Sequence, residues 1–398
     1  MRYPEVDALR AFAAIAVLGT HVAVFAGADY PGSEVGRFAQ RLEVGLTIFF
    51  VISGFLLYRP FVAGRVAGKP GPGTVAYGWR RVLRIAPAYW VALTVTAVVL
   101  SRDEVFASGT APYYYLLGQT YSGETLSGGL TQAWTLTVEV AFYAFLPLWA
   151  WLMQRAGGTS LRAELAGLLV LVVISEAWKG VVLAGTDPQQ VVITPMLIAL
   201  PAYFDQFALG MALAVLTVRL QRGDPPRAVR VVDGVPWLPW LVALVAFWVV
   251  STRIGIGDEF FEPFTPAQYL ARHWLYALIG VCVVLPAVVG TPGRGVVRRL
   301  LAHPVLAWLG LISYGIYLWH LTMLSLLEKA GIRDVGPAYL TWPLAGLATA
   351  VIAGAASWYL VERPALSLKR LVPARKPRTA PLPAPPEPQP SARIADPS

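Results

Sequence analysis

The chain has 398 residues, 56% hydrophobic and only 14% charged, with a net charge of +9 and a pI near 9.7. A soluble domain carries roughly 25% charged residues, so the composition excludes an ordinary soluble enzyme. Its basic residues sit in short loops between apolar runs, which points to the positive-inside bias of a membrane protein and away from nucleic-acid binding.

A spanning helix needs about 20 mostly apolar residues. Ten segments fit: 6–26, 42–58, 85–101, 133–152, 165–184, 196–218, 237–252, 268–290, 305–327 and 341–361. They predict an all-α integral membrane protein of about ten transmembrane helices. Pro147, Pro201 and Pro286 fall inside segments and predict kinks, because neighbouring helices can re-satisfy the backbone. With the N-terminus inside, 23 Lys and Arg lie on inner segments and 8 on outer ones. That bias places both termini in the cytoplasm. Glu5, Asp7 and Arg10 at the mouth of the first segment argue against a cleavable signal. Residues 1–364 form the expected membrane domain. Residues 365–398 form a Pro-rich tail, with nine prolines between Pro373 and Pro397, and are expected to be a disordered cytosolic extension. No internal repeat and no second soluble domain is apparent.

Ionisable residues inside a bilayer cost about 2.5–3.5 kcal/mol each on insertion scales, so each needs a reason. The first segment holds Asp7, Arg10 and His21. Arg10 and His21 are eleven residues apart, so they share one helical face, and Asp7 joins it. A structural histidine and an arginine snorkelling to headgroups are the alternatives to a functional pair. In the second segment, Phe49-Phe50-Val51-Ile52-Ser53-Gly54-Phe55 removes bulk at Ser53-Gly54, which admits either an acyl chain or a packed helix. Before the third, Arg80 and Arg84 stand four apart and would face the same way on a helical turn. They read either as positive-inside signal or as a fork for phosphate groups. The largest outer loop, 102–132, carries Tyr113, Tyr114, Tyr115 and Tyr121, either an interfacial belt or a cover over an outward-facing site. The fourth segment opens with Trp134 and places Glu139 about two turns deep, with Tyr143 on the same side. Arg10 and His21 are the available partners for that carboxylate, in a structural pair or in catalysis. Cys282 alone makes neither an internal disulfide nor a zinc site and reads as a core residue. The ninth segment carries Ser313, Tyr314, Tyr317, Trp319 and His320. The last ends Val361-Glu362-Arg363-Pro364.

Taken in order, these motifs resemble the acyltransferase type 3 family of integral membrane acyltransferases, from Asp7 to Pro364. The opening helix from Asp7 through His21, the Phe49–Phe55 run and the Arg80/Arg84 pair are similar to that family's signatures. So are Trp134-Thr135-Leu136-Thr137-Val138-Glu139 with Phe142-Tyr143, Phe207-Ala208-Leu209-Gly210, the run Ser313 to His320, and Val361 to Pro364. Thr47, where many members carry Asp, and Thr135, where Ser is usual, depart from the pattern. The resemblance implies an O-acyltransferase without a permanently bound cofactor, using acyl-CoA as donor substrate and a hydroxyl-bearing acceptor: a carbohydrate, a cell-envelope glycan or a glycosylated metabolite such as a macrolide. It implies a bacterial cytoplasmic membrane and a stand-alone membrane unit. His21 would be the general base, Arg10 would orient the donor or stabilise developing charge, and Glu139 would hold the histidine tautomer or position the acceptor. Arg80 and Arg84 would meet the anionic CoA. Ser53, Gly54 and Phe55 would admit its acyl arm, and Trp134, Tyr143 and His320 would complete the substrate site. The rival class is a transporter or flippase for an acylated lipid or glycan, against which stands the lack of an inverted repeat or paired broken helices.

Overall fold

Runs of Leu, Val, Ala and Ile longer than 20 residues leave the backbone no water to bond, and a helix satisfies every interior N–H and C=O within the segment. The computed structural model describes residues 3–372 except 28–32, 127, 158–159, 192, 222, 224, 258–262 and 292. It is all-helical, with two isolated bridges and no strand among the described residues. In chain order the first half comprises α1 (Pro4–Phe25), α2 (Glu34–Gln40), α3 (Val44–Val66), α4 (Thr74–Leu100), α5 (Ala111–Tyr115), α6 (Trp134–Arg155) and α7 (Leu161–Ala184). The second half comprises α8 (Phe204–Leu220), α9 (Arg227–Gly234), α10 (Leu238–Thr252), α11 (Pro266–Val288), α12 (Gly295–Leu301), α13 (Pro304–Lys329), α14 (Ala338–Ser357) and α15 (Arg363–Ser367). Among the described residues, nine helical stretches are long and apolar enough to cross a membrane. The short α9 and α10 meet at 87° and would make a tenth if they count as one span. The protein is a multi-pass membrane protein.

Helix boundaries depart from the sequence reading where charges lie inside helices. α3 runs on to Val66 through Pro60 and Arg65. α4 begins at Thr74, so Arg80 and Arg84 stand on a helix and not in a loop. Pro147 and Pro286 lie within α6 and α11, whereas Pro201 sits in the 3-10 turn Leu200–Tyr203 ahead of α8. Helical turns continue past Pro364 to Leu371, and Trp79 Nε1 donates to the Leu368 carbonyl at 3.1 Å. Residues 373–398, the proline-rich stretch, lie outside the described residues.

α1 occupies the middle of the bundle, against α3, α13, α14 and α11. Small residues let the backbones close in. A methyl on Gly310 would overlap the Asp7 carbonyl of α1, and one on Gly54 or Gly210 would overlap the Phe207 or Val51 carbonyl across the α3–α8 contact. On the periphery the apolar pattern inverts. Val98 of α4, Leu169 and Val173 of α7, Leu244 of α10 and Leu344 of α14 all point outward and are exposed. Such a girdle is untenable in water and suits lipid. The 102–132 stretch folds back as a cap: the Tyr89 hydroxyl donates to the Tyr114 carbonyl at 2.6 Å, and Trp90 Nε1 to the Tyr115 carbonyl at 2.8 Å. Tyr114 is buried, while Tyr113 and Tyr121 are exposed.

Candidate active site

Two of the histidines meet between α1 and α13. The rings of His21 and His320 lie 4.9 Å apart, inclined at 54°. His21 Nδ1 is 2.9 Å from the Val17 carbonyl, and His320 Nδ1 is 2.6 Å from the Tyr317 carbonyl. A carbonyl only accepts, so in each ring Nδ1 carries the hydrogen and Nε2 holds the basic lone pair. His320 is buried, and its Nε2 has no hydrogen-bond partner among the described residues. The Val17 carbonyl thus orients the His21 ring, while the hydrogen bonds of Glu139 go to Ser53 and Tyr143. Glu43, which accepts from Arg272 at 2.9 Å and from the Tyr276 hydroxyl at 3.1 Å, is in electrostatic reach of His21. Tyr317 frames the pair: its ring is 5.7 Å from His320 and 6.2 Å from Phe49. Its hydroxyl donates to the Gln132 carbonyl and lies 2.5 Å from Thr135 Oγ1. The Thr135 hydroxyl thus ties α6 to α13.

The second group of polar side chains gathers around Glu139. Ser53 Oγ donates to Glu139 Oε1 at 2.8 Å, and the Tyr143 hydroxyl donates to the same oxygen at 2.5 Å. Tyr143 stands one turn below Glu139 on α6, the i, i+4 neighbour expected on one helical face. Arg10 is in electrostatic reach of Glu139, Tyr143, Arg84 and Asp7. No carboxylate lies within ion-pair distance of Arg10 among the described residues. Arg81 sits 5.7 Å from the Tyr143 ring centre and 5.9 Å from that of Tyr77. Arg84 pairs with Glu362 at 2.9 Å and lies over the Tyr314 and Trp358 rings. A π turn at Trp358–Glu362 ends α14 and turns that carboxylate into the bundle.

The structure separates residues that the sequence grouped. Arg80 is exposed, whereas Arg81, which sequence spacing did not single out, faces the polar interior. Gly54 serves the α3–α8 contact. Phe55 is fully buried, its ring edge-on to Tyr3 at 5.2 Å. Trp134 packs against Tyr203 with ring centres 6.0 Å apart. Thr47 is buried beside Gly280 of α11. A further buried cluster also escaped the sequence reading: Lys179 of α7 meets Asp205 of α8 at 2.8 Å, and His273 of α11 meets the same Asp205 oxygen at 2.7 Å. Glu176 pairs with Lys179 as well, at 2.6 Å. Ionisable residues inside predicted spans, Lys179 in 165–184, Asp205 in 196–218 and His273 in 268–290, were the signal available.

These arrangements lie inside a multi-pass membrane bundle, and the comparisons show the family to which it belongs. Residues 3–362 match the acyltransferase 3 family model, described as an acyltransferase domain, and the chain belongs to that family. It is similar to the putative peptidoglycan O-acetyltransferase YrhL of Bacillus subtilis, 26% identical over 91% of this chain and 54% of the relative. It is similar also to the peptidoglycan O-acetyltransferase OatA of Listeria monocytogenes, 24% identical over 81% of this chain and 49% of the relative. The exopolysaccharide production protein ExoZ of Rhizobium meliloti is 27% identical over 81% of this chain and 89% of its own length. The chain thus spans about half the length of the first two relatives. No solved structure matches.

Proposed function

We propose that this protein moves a short acyl group, such as acetyl, from acyl-CoA to a hydroxyl of a cell-envelope carbohydrate in the bacterial cytoplasmic membrane, with both termini in the cytoplasm. The observation that carries the reading is the facing pair of His21 and His320. Each ring turns its Nδ1 to a backbone carbonyl, which makes Nε2 the basic nitrogen in both. His21 Nε2 takes the proton of the acceptor hydroxyl as its oxygen attacks the thioester carbonyl carbon. The C–S bond then breaks and the thiolate leaves, taking that proton back. No covalent enzyme intermediate is needed.

Geometry divides the labour. Arg10 lies eleven residues before His21, about 16 Å down the axis at 1.5 Å per residue. Arg10 therefore acts on the body of the donor and not on the oxyanion beside His21. Glu139, steadied by Ser53 and Tyr143, places that guanidinium. Exposed Arg80 draws the anionic donor to the cytoplasmic face and half-buried Arg81 lines its way in, while Arg84, tied to Glu362, holds α4 against the last helix. The Lys and Arg bias of the loops supports entry of the donor from the cytoplasm. The names of the relatives favour a glycan acceptor over a macrolide.

The test is acyl transfer by purified protein in detergent, with acetyl-CoA and longer donors against peptidoglycan fragments, exopolysaccharide and a macrolide. His21→Ala should abolish CoA release, and His320→Ala should lower kcat about tenfold or more, while both variants keep the wild-type gel-filtration profile. Full turnover in His21→Ala removes it from the base role. No CoA release with any donor and acceptor favours a transporter.

A further inference from the structure

A cavity of about 480 Å³ opens where α3 ends, α4 begins and α6 ends, within the size range of small-ligand sites. Its wall includes Phe61, Arg65, Lys69, Thr74, Trp151 and Gln154. Two cations line it and no carboxylate does; Glu164, which pairs with Arg65, stands behind that guanidinium and also accepts the Tyr58 hydroxyl at 2.6 Å. Thr74 is the first residue of the 27-residue α4, whose N-terminus has no side-chain cap, so its first backbone N–H groups are open to an anion. Trp151 supplies a half-exposed indole, with the Arg155 guanidinium 4.1 Å from its ring centre.

The cavity leads inward. Phe61 on its wall lies edge-on to Tyr77 at 5.8 Å, and Tyr77 borders Arg81. Along α6, Pro147 of the wall, Tyr143 and Glu139 follow at four-residue steps. Along α3, Phe61 and Ser53 are likewise eight residues apart. Both helices thus carry the path about 12 Å from cavity to the Glu139–Ser53 hydrogen bond.

We infer that this cavity is the seat of a phosphorylated purine nucleotide, the nucleotide end of the acyl donor. The base stacks on Trp151, the phosphates meet Lys69, Arg65 and the α4 N-terminus, and the acyl arm runs past Tyr77 and Arg81 towards Glu139. The inference rests on the acyl-CoA reading above. A phosphate here could also belong to an anionic lipid headgroup, but a headgroup has no use for the indole, and the test separates the two.

Binding of radiolabelled coenzyme A to the full-length protein is measured by equilibrium dialysis, in uncharged detergent and in nanodiscs containing phosphatidylglycerol. ADP should compete. Trp151→Ala should weaken binding about tenfold, in line with base–aromatic stacking, and Lys69→Gln about fivefold to tenfold, while Arg299→Gln, an exposed charge on α12, should leave it unchanged. His21→Ala should bind normally although it does not turn over, so retained transfer in that variant counts against the catalytic reading and not against the cavity. A second measurement needs no substitution: ADP should protect Lys69 of the wild-type protein from an amine-reactive reagent. Unchanged coenzyme A affinity in the Trp151 and Lys69 variants overturns the inference. So does displacement of coenzyme A by phosphatidylglycerol without competition or protection by ADP.

Discussion

Glu139→Gln is the substitution that separates a positioning carboxylate from a catalytic one. The amide keeps an oxygen that accepts from Ser53 and Tyr143, at 2.8 and 2.5 Å in the native protein, so the fold should survive. What changes is charge. A hydrogen bond to a charged group contributes about 1.5–3 kcal/mol and a neutral one about 0.5–1.5, so two bonds made neutral cost about 2 kcal/mol together. The midpoint of thermal unfolding in detergent should fall by a few degrees. The neighbourhood is also left out of balance. Arg10, Arg81 and Arg84 stand among Asp7, Glu139 and Glu362, three cations and three carboxylates. Without the Glu139 charge, the Arg10 guanidinium loses the group that places it. The donor KM should rise about tenfold, which is about 1.4 kcal/mol, with kcat changed less than threefold. Steady-state kinetics with varied acetyl-CoA decide it. A loss confined to kcat would refute this reasoning, because it would put Glu139 against the reacting atoms. Wild-type kinetics would show that the carboxylate has no part at all.

Two other perturbations follow from particular contacts. Gly210→Ala places a methyl against the Val51 carbonyl at the α3–α8 contact, and such overpacking costs about 1–3 kcal/mol. Gly78→Ala, on the open side of α4 with no atom near, should instead stabilise by about 0.5–1 kcal/mol; thermal unfolding of both should show opposite signs, and equal destabilisation would refute the packing argument. Outside the membrane segments, the Thr291 backbone N–H, with Arg298 and Arg294, holds the Asp233 carboxyl below the usual range. A depressed carboxyl stabilises the fold above its unfolded pKa of about 3.9 and loses that contribution as pH falls through the lower folded value. Asp233→Asn should therefore lower stability by about 1–2 kcal/mol at pH 7 and flatten the acid side of the stability profile; parallel wild-type and variant profiles below pH 5 would contradict the linkage.

Apolar length made most of the spanning helices legible, because a bilayer permits no other backbone solution. Boundaries failed where charge was taken as a sign of water. Arg65 looked like the start of a loop, yet α3 carries it to Glu164 and Tyr58. Arg80, Arg81 and Arg84 looked like a cytoplasmic loop, yet α4 begins six residues before Arg80 and sets Arg81 and Arg84 against aromatic rings. Lys179, inside the apolar run 165–184, is wholly buried on Asp205. Arg65, Arg84 and Lys179 each meet a carboxylate distant in sequence, Glu164, Glu362 and Asp205, and no local pattern reports those contacts.

The candidate site was legible for a different reason. Period and spacing put Arg10 and His21 on one face of α1 and Tyr143 beside Glu139 on α6. They could not show that His320 would meet His21, because that depends on the depth at which α13 crosses α1, and Gly310 against the Asp7 carbonyl fixes it. Nor could they tell closed clusters from open ones. Asp205 is answered by both Lys179 and His273, and Glu362 by Arg84. Breaking such pairs costs the fold, since a charge left alone in the interior costs about 3–5 kcal/mol. Arg10 has no carboxylate within ion-pair distance among the described residues, and His320 Nε2 is buried with its lone pair unused. A bilayer protein keeps such groups at a standing cost, and a substrate that brings an anion to Arg10 and a hydroxyl to the histidines would repay it.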